Sequence, residues 1–176
     1  MSQTWNIDPS HTSLEFAVRH MMISTVRGSF KVSGGGVELD EQGKLLGVEA
    51  TIETASVNTK DAGRDGHLNA ADFFDSATHP NITFKSTNIA ALGANNYKVE
   101  GHLTIRGETK AVTLDVETSQ QAKDPWGNTK IAASGTTKIS RKEWGLVWNQ
   151  ALEAGGVLVG DEVKITLDVQ AAAPAA

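Results

Sequence analysis

The sequence predicts an all-β fold, an eight-stranded antiparallel barrel with one or two short helices. Three observations carry this. Val, Ile and Thr together supply 40 of the 176 residues, and β-branched side chains suit pleated strands. Apolar and polar residues alternate with a period of two through most of the chain, giving each strand one dry and one wet face. The helical spans that parallel βαβ units need between strands are missing. Eight long strands with a single dry face favour a closed barrel over an open sandwich.

In the first strand Leu14, Phe16 and Val18 share one face, which His20 continues, opposite Glu15, Ala17 and Arg19. Phe30 and Val32 open a second strand, which the run Gly34–Gly36 is expected to bend or bulge. Val48, Ala50 and Ile52 form the dry face of a third, and Ile82 and Phe84 start a fourth after Pro80. Val99, Gly101, Leu103 and Ile105 face inward on the fifth, as Val112, Leu114 and Val116 do on the sixth. These two strands are expected to meet at Gly107-Glu108, with Gly first as a type II′ turn wants. Ile131, Ala133, Gly135, Thr137 and Ile139 mark the seventh strand, and Val163, Ile165, Leu167 and Val169 the eighth.

Two stretches break the alternation. Residues 60–79 carry Ala, Leu, Phe and Asp at helical spacing, and Asp72 is expected to cap a short helix that brings Phe73 and Phe74 to the barrel. Residues 141–150 space Trp144 and Trp148 four apart, on one helical face, against the weakening effect of Gly145. One domain is expected over residues 5–170, with 171–176 a frayed, disordered tail.

Composition excludes several functions. A net charge of −5 argues against binding the phosphate backbone of a nucleic acid. The lack of cysteine excludes disulfides, Cys-ligated zinc and thiol catalysis. The longest apolar run, Ile89–Leu92, is far too short for a membrane-spanning helix. Walker, GxGxxG and GxSxG motifs are missing. The first residues show neither a basic start nor an apolar segment of signal type, so a cytoplasmic location is expected, or a periplasmic one if a signal has been removed.

Among the five histidines, His102 falls on a polar face, His79 precedes Pro80 in a turn, and His11 is expected to fix the turn at Asp8-Pro9-Ser10. His20 differs, because it ends a dry face and so points inward at a barrel mouth. It is either a satisfied core histidine or a polar contact for a ligand's head. Arg64-Asp65 is either a structural ion pair or, through Arg64, an anion contact. Ala50, Gly101, Ala133, Gly135 and Thr137 are small where Leu or Phe would fill space. An eight-stranded barrel can be solid or can hold one ligand, and small inward residues tilt this one toward a cavity.

Ordered pieces of the chain resemble the YceI-like family of polyisoprenoid-binding, lipocalin-like bacterial proteins. They begin with Asp8-x-x-His11-Thr-Ser-Leu-x-Phe16-x-Val18-x-His20 and Val26-Arg-Gly28-Ser-Phe30. They continue with Arg64-Asp65-x-His67-Leu68, Asp72-Phe73-Phe74-Asp75 and Pro80-x-Ile82-Thr83-Phe84-x-Ser86. They end with Gly101-x-Leu103-Thr104-Ile105-Arg106-Gly107, Ser140-Arg141-x-x-Trp144-Gly145 and Val159-Gly160-Asp161-Glu162-Val163. One departure is Trp144, where the family pattern has Phe before the Gly.

The resemblance implies an extended lipocalin-like barrel around an apolar tunnel. It implies non-covalent binding of a long isoprenoid-type lipid, such as a polyprenyl phosphate or a quinone, with no catalysis and no cofactor, and it is compatible with a homodimer. The residues expected on the ligand are Phe16, Val18, His20 and Phe30 from the first two strands, with Ala50 and Ile52 from the third. Arg64, Leu68, Phe73 and Phe74 join them from the excursion. Phe84, Leu103, Ile105, Leu114, Ala133 and Trp144 complete the set. Two other readings stay open: a metal-dependent hydrolase using His11, His67 and Asp65 or Asp72, and a solid-core barrel acting as a surface adaptor.

Overall fold

The computed structural model describes residues 1–175. Its strands are β1 (Gln3–Ile7), β2 (Ser13–His20), β3 (Ser24–Leu39), β4 (Leu45–Asn58), β5 (Asn81–Ala91), β6 (Asn96–Ile105), β7 (Glu108–Thr118), β8 (Ala122–Lys123), β9 (Thr129–Ser140) and β10 (Val159–Ala172). One helix, α1 (Ala62–Asn69), interrupts them. Every pairing is antiparallel, and β2-β3-β4-β5-β6-β7-β9-β10 closes on itself through the β10–β2 ladder. The predicted eight-stranded ring is therefore present. All eight alternating segments lie in its strands, while β1 and β8 are additions that alternation did not mark.

The glycine run bulges β3 without ending it. Pairing with β4 continues through Gly34, Gly35 and Gly36, with a register shift between Val32 and Gly34. Gly35 has φ +140°, and a Cβ there would stand 2.2 Å from the Glu49 carbonyl oxygen, so only glycine lets the two backbones approach this closely. Beyond the bulge β3 leaves β2, and β1 takes its place, pairing Gln3–Asn6 with Gly36–Leu39.

This crossing closes one end of the barrel. Trp5, Ile7, Leu39, Leu45, Tyr97, Val99, Ile131, Val169 and Ala171 are buried there in a packed core. The strand β10 runs two residues into the segment expected to fray. Ala171 is fully buried and pairs with Ile7 and Ile131, and Ala172 pairs with Asn6 and Lys130. The tail is thus strand through Ala172, because β1 and β9 both supply ladder partners, and Ala176 lies outside the described residues.

Three local expectations are corrected. The β6–β7 turn is Arg106-Gly107, not Gly107-Glu108: Ile105 pairs with Glu108, and both turn residues have positive φ, 51° and 74°. That is the I′ geometry, whose twist matches the flanking strands. The helix of the excursion precedes Asp72. Asp61 caps it by accepting from the Arg64 backbone N–H, which holds the Asp61 carboxyl below its usual range, and Phe73 and Phe74 follow in turns. Finally, residues 141–150 form no continuous helix. A 3-10 turn spans Arg141–Trp144, and Gly145 stops it at φ 77°, so Trp144 and Trp148 point to different places.

Candidate functional site

The dry faces of the ring enclose a cavity of about 160 Å³. Each ring strand contributes to its wall: Leu14, Phe16 and Val18 from β2, Phe30 and Val32 from β3, Ala50 and Ile52 from β4, Ile82 and Phe84 from β5. The circle is completed by Leu103 and Ile105 of β6, Val112 and Leu114 of β7, Thr137 and Ile139 of β9, and Val163, Ile165 and Leu167 of β10. Leu68 of α1, then Phe73, Phe74, Leu146 and Val159, close it over the open end.

The wall presents only apolar atoms to this space. Polar residues at its edge turn their heteroatoms away. The Thr137 hydroxyl donates to the Thr113 carbonyl at 2.8 Å. The buried Arg141 guanidinium donates to the carbonyls of Gly160 (2.9 Å), Val159 (3.3 Å) and Leu146. Burial pushes its pKa below the ordinary arginine value, and nearby Asp161 opposes that shift. Arg141 therefore ties the incoming end of β10 to the segment after Trp144 and leaves its aliphatic stem to the cavity.

Aromatic rings narrow the bore. Phe16 and Phe30 have centroids 5.5 Å apart, and Phe30 meets Phe74 edge-on at 5.3 Å. The Phe16 ring lies over its cross-strand neighbour Gly28, where a Cβ would come within 2.3 Å of Cζ. Such rings pack well and can also swing between rotamers.

A second groove, about 320 Å³, adjoins the cavity and shares Phe16, Val18, Leu68, Phe73 and Val159 with it. It is the mouth, and its other walls include Arg19, His20, Val26, Thr59, Arg64, His67, Trp148 and Leu158. His67 stacks edge-on against Trp148 (4.7 Å) and Phe73 (5.0 Å), with its Nε2 3.3 Å from an Asp72 carboxylate oxygen. Arg64 and Asp65 form no ion pair with each other; both grip Thr59. Arg64 Nε donates to the Thr59 hydroxyl at 2.8 Å and Nη2 to its carbonyl at 3.0 Å. Asp65 accepts from the Thr59 backbone N–H (2.9 Å) and hydroxyl (2.5 Å). Arg64 is thereby held in the mouth with Nη1 bonded to no protein group among the described residues.

Of the sixteen residues expected on the ligand, twelve line the cavity: Phe16, Val18, Phe30, Ala50, Ile52, Leu68, Phe73, Phe74, Phe84, Leu103, Ile105 and Leu114. His20 and Arg64 stand in the mouth. Two are misplaced. Ala133 faces inward but beyond the cavity, paired with Thr118 and Val169 toward the packed end, and it borders a shallow groove beside His11 and Asp168. Trp144 is 1% exposed, and its indole N–H donates to the Leu103 carbonyl at 2.9 Å; it packs outside the cavity wall as a buried prop.

Only some of the small inward residues open space. Ala50 and Thr137 do leave room in the cavity. The space above Gly101 belongs to the Phe84 ring, 2.5 Å from where its Cβ would be, and that above Gly135 to Val116 at 3.5 Å. Thr59 and Leu158 escaped the sequence reading because they lie outside alternating segments, and Trp148 was marked there only by its helical spacing from Trp144, not as a wall of the mouth. Val32, Ile82, Val112 and the β10 residues sat on dry faces that alternation had marked.

His11 is remote from His67. Its Nδ1 lies 2.9 Å from Asp8 and 3.1 Å from the Ser10 hydroxyl, fixing the turn as expected. Hydrogen bonds from Ser10 and His11 pull the Asp8 carboxyl down to about 2. Among the described residues no three His, Asp or Glu side chains come together as a metal site. A groove of about 550 Å³ at the packed end, walled largely by amides and hydroxyls such as Gln42, Asn95, Ser119 and Gln120, is separate from the apolar cavity.

A family model described as the YceI-like domain matches residues 5–171. A UPF0312 protein of Staphylococcus aureus (strain bovine RF122 / ET3-1) is 40% identical over 164 residues, covering 91% of this chain and 92% of the relative. The crystal structure of Burkholderia cenocepacia BcnA superposes with TM-score 0.79 at 27% identity, covering 93% of this chain and 98% of that one. The Campylobacter jejuni YCEI protein superposes at 0.76 with 30% identity, covering 89% and 90%. A polyisoprenoid binding domain from Saccharophagus degradans shares the fold at TM-score 0.73 and 16% identity, over 98% and 99% of the two chains.

Proposed function

The chain belongs to the YceI-like domain family, and on that premise we propose that its barrel binds a long isoprenoid-type lipid, such as a polyprenyl phosphate or a quinone, for carriage or storage without chemical conversion. One observation carries the reading. The space inside the ring is bounded by apolar atoms alone, so a hydrocarbon chain loses nothing polar on entering it. Each buried carbon contributes roughly 0.8 kcal/mol, before the cost of ordering the chain. The polyisoprenoid binding named for the Saccharophagus degradans domain, which has the same barrel, agrees with this reading.

The cavity takes one end of the chain and the mouth groove the portion that follows. Passage from one to the other runs between Phe16, Leu68 and Phe73, which line both. Longer chains require Phe16, Phe30 and Phe74 to change rotamer. At the mouth, Arg64 and His20 face the head group. Thr59 pre-orders the Arg64 guanidinium, which lowers the entropy cost of an anion contact. Binding therefore resides in the chain, and orientation in one or two polar contacts.

The test is organic extraction of purified protein with mass spectrometry of the extract, followed by uptake of prenyl phosphates and quinones by stripped protein. Bound or accepted prenyl chains are the expected result. Protein that is empty and takes up neither class refutes the reading.

A further inference from the structure

Water-exposed apolar side chains cluster around the mouth. The β2–β3 hairpin tip holds Met21 (44% exposed), Met22 (57%) and Ile23 (76%), and the loop 146–158 adds Val147 (59%) and Val157 (38%). The two loops touch. The Met21 N–H donates to the Leu158 carbonyl at 2.7 Å, and the Met22 side chain lies over Gly156, its Cγ 3.0 Å from where a Cβ would stand. Val147 adjoins Trp148, and Val157 adjoins Leu158, both of which line the mouth.

Folding does not account for this arrangement. Met21 and Met22 have φ of 53° and 62°, a conformation that costs a non-glycine residue steric energy. The hairpin therefore holds three large apolar side chains in water on a strained tip. A contiguous exposed apolar patch of this kind marks an interaction surface.

The charges beside it point to the occupant. Arg19 has its guanidinium under the tip, donating to the Met22 carbonyl at 3.1 Å and the Thr25 hydroxyl at 3.2 Å. Arg27 is also exposed on this hairpin, Lys60 follows the end of β4, and Arg64 stands in the mouth. Among the described residues none of these four has a carboxylate partner within 4.0 Å. Nearby acidic groups are engaged locally, Asp61 by the α1 N-terminus, Asp65 by Thr59 and Asp72 by His67, while Glu153 opposes the cations from the second loop. Apolar tips flanked by unpaired cations, in a chain of net charge −5, match the interface of a bilayer with anionic phosphate head groups.

We infer that the Met21–Ile23 tip and the Val147/Val157 loop seat the barrel mouth on an anionic lipid bilayer. An isoprenoid chain then passes between membrane and cavity without crossing water. The passage rests on the proposed lipid function; the docking does not.

The test uses the whole protein and vesicles of phosphatidylcholine with and without phosphatidylglycerol. Wild type is expected to co-sediment, more strongly with phosphatidylglycerol and less as salt is raised. Met22→Asn with Ile23→Ser keeps a residue that tolerates positive φ and is expected to weaken co-sedimentation by roughly tenfold or more. The same variant is expected to melt like wild type and to accept a prenyl chain delivered from detergent at wild-type affinity. Ile23→Trp is expected to retain docking, since an indole suits the interface. Wild type that ignores both vesicles, or a polar-tip variant that sediments equally well, overturns the inference. So does a wild-type dimer that the polar-tip variant converts to monomer, because the rim is then a contact between two copies. Docking without uptake of any prenyl chain sinks the lipid-carrier reading alone.

Discussion

Replacing Ala50 by Leu distinguishes an open bore from a filled one. Ala50 sits on β4 between Gly35 and Phe84 in the ladder, buried, with its methyl on the cavity wall. Leu adds three carbons. At ~0.8 kcal/mol per buried carbon this contributes ~2.4 kcal/mol. Each added carbon with its hydrogens is about the size of a water molecule, ~30 Å³, so the three fill ~90 Å³ of the 160 Å³ available, and ~24 cal/mol per Å³ of cavity gives a similar ~2.2 kcal/mol. Rotamer entropy of Leu removes about 0.5–1 kcal/mol, leaving stripped protein about 1.5 kcal/mol more stable. For a chain of this length that raises Tm by roughly 3–6 °C. Prenyl-chain affinity is expected to fall roughly 50-fold, because the space of about three carbons is lost to the ligand. Differential scanning calorimetry of stripped protein, beside a fluorescent prenyl-displacement assay, reads both. A Tm drop corresponding to the ~1–3 kcal/mol of overpacking, with chain binding unchanged, refutes the cavity at this position.

Arg64→Gln removes the cation from the mouth but keeps a polar group there; a prenyl phosphate is expected to bind roughly tenfold or more weakly and a quinone equally well, as titration calorimetry with both will show. Trp144→Phe leaves the buried Leu103 carbonyl without its indole donor and is expected to cost ~1–3 kcal/mol in denaturant unfolding, with little change in prenyl affinity because Trp144 is off the wall. Asp8 has a folded pKa of about 2, below the unfolded value of about 3.9. Its contribution is therefore complete above about pH 5 and disappears as pH falls toward 2. Urea melts of wild type and Asp8→Asn should differ by a constant amount near neutrality and converge across that acid range; a gap that stays constant down to pH ~2 removes Asp8 as the source.

Alternation in the sequence determined the strands, because a period of two leaves one choice of buried face for each. It thereby determined most of the cavity wall: Phe16, Phe30, Ala50, Phe84, Leu103 and Leu114 are all on faces legible without coordinates. It could not say how far along the barrel axis each residue stands. Ala133 alternates correctly yet falls beyond the cavity, because the height of β9 against β7 and β10 is set by ladder register. Nor could it distinguish a small residue beside empty space from one under a neighbour's ring, as Gly101 under Phe84 shows. The mouth is legible only in part: Phe16, Val18 and His20 reach it on the dry face of β2, but most of its other walls are tertiary. Thr59, Arg64, His67 and Trp148 come from segments without strand period, and only the folding of α1 and the loop 146–158 onto the open end brings them together. Trp144 marks the same boundary, since its spacing from Trp148 fits a helix that Gly145, at positive φ, ends after one turn. Local patterning fixes which face a side chain takes, while packing between distant segments fixes what it meets there.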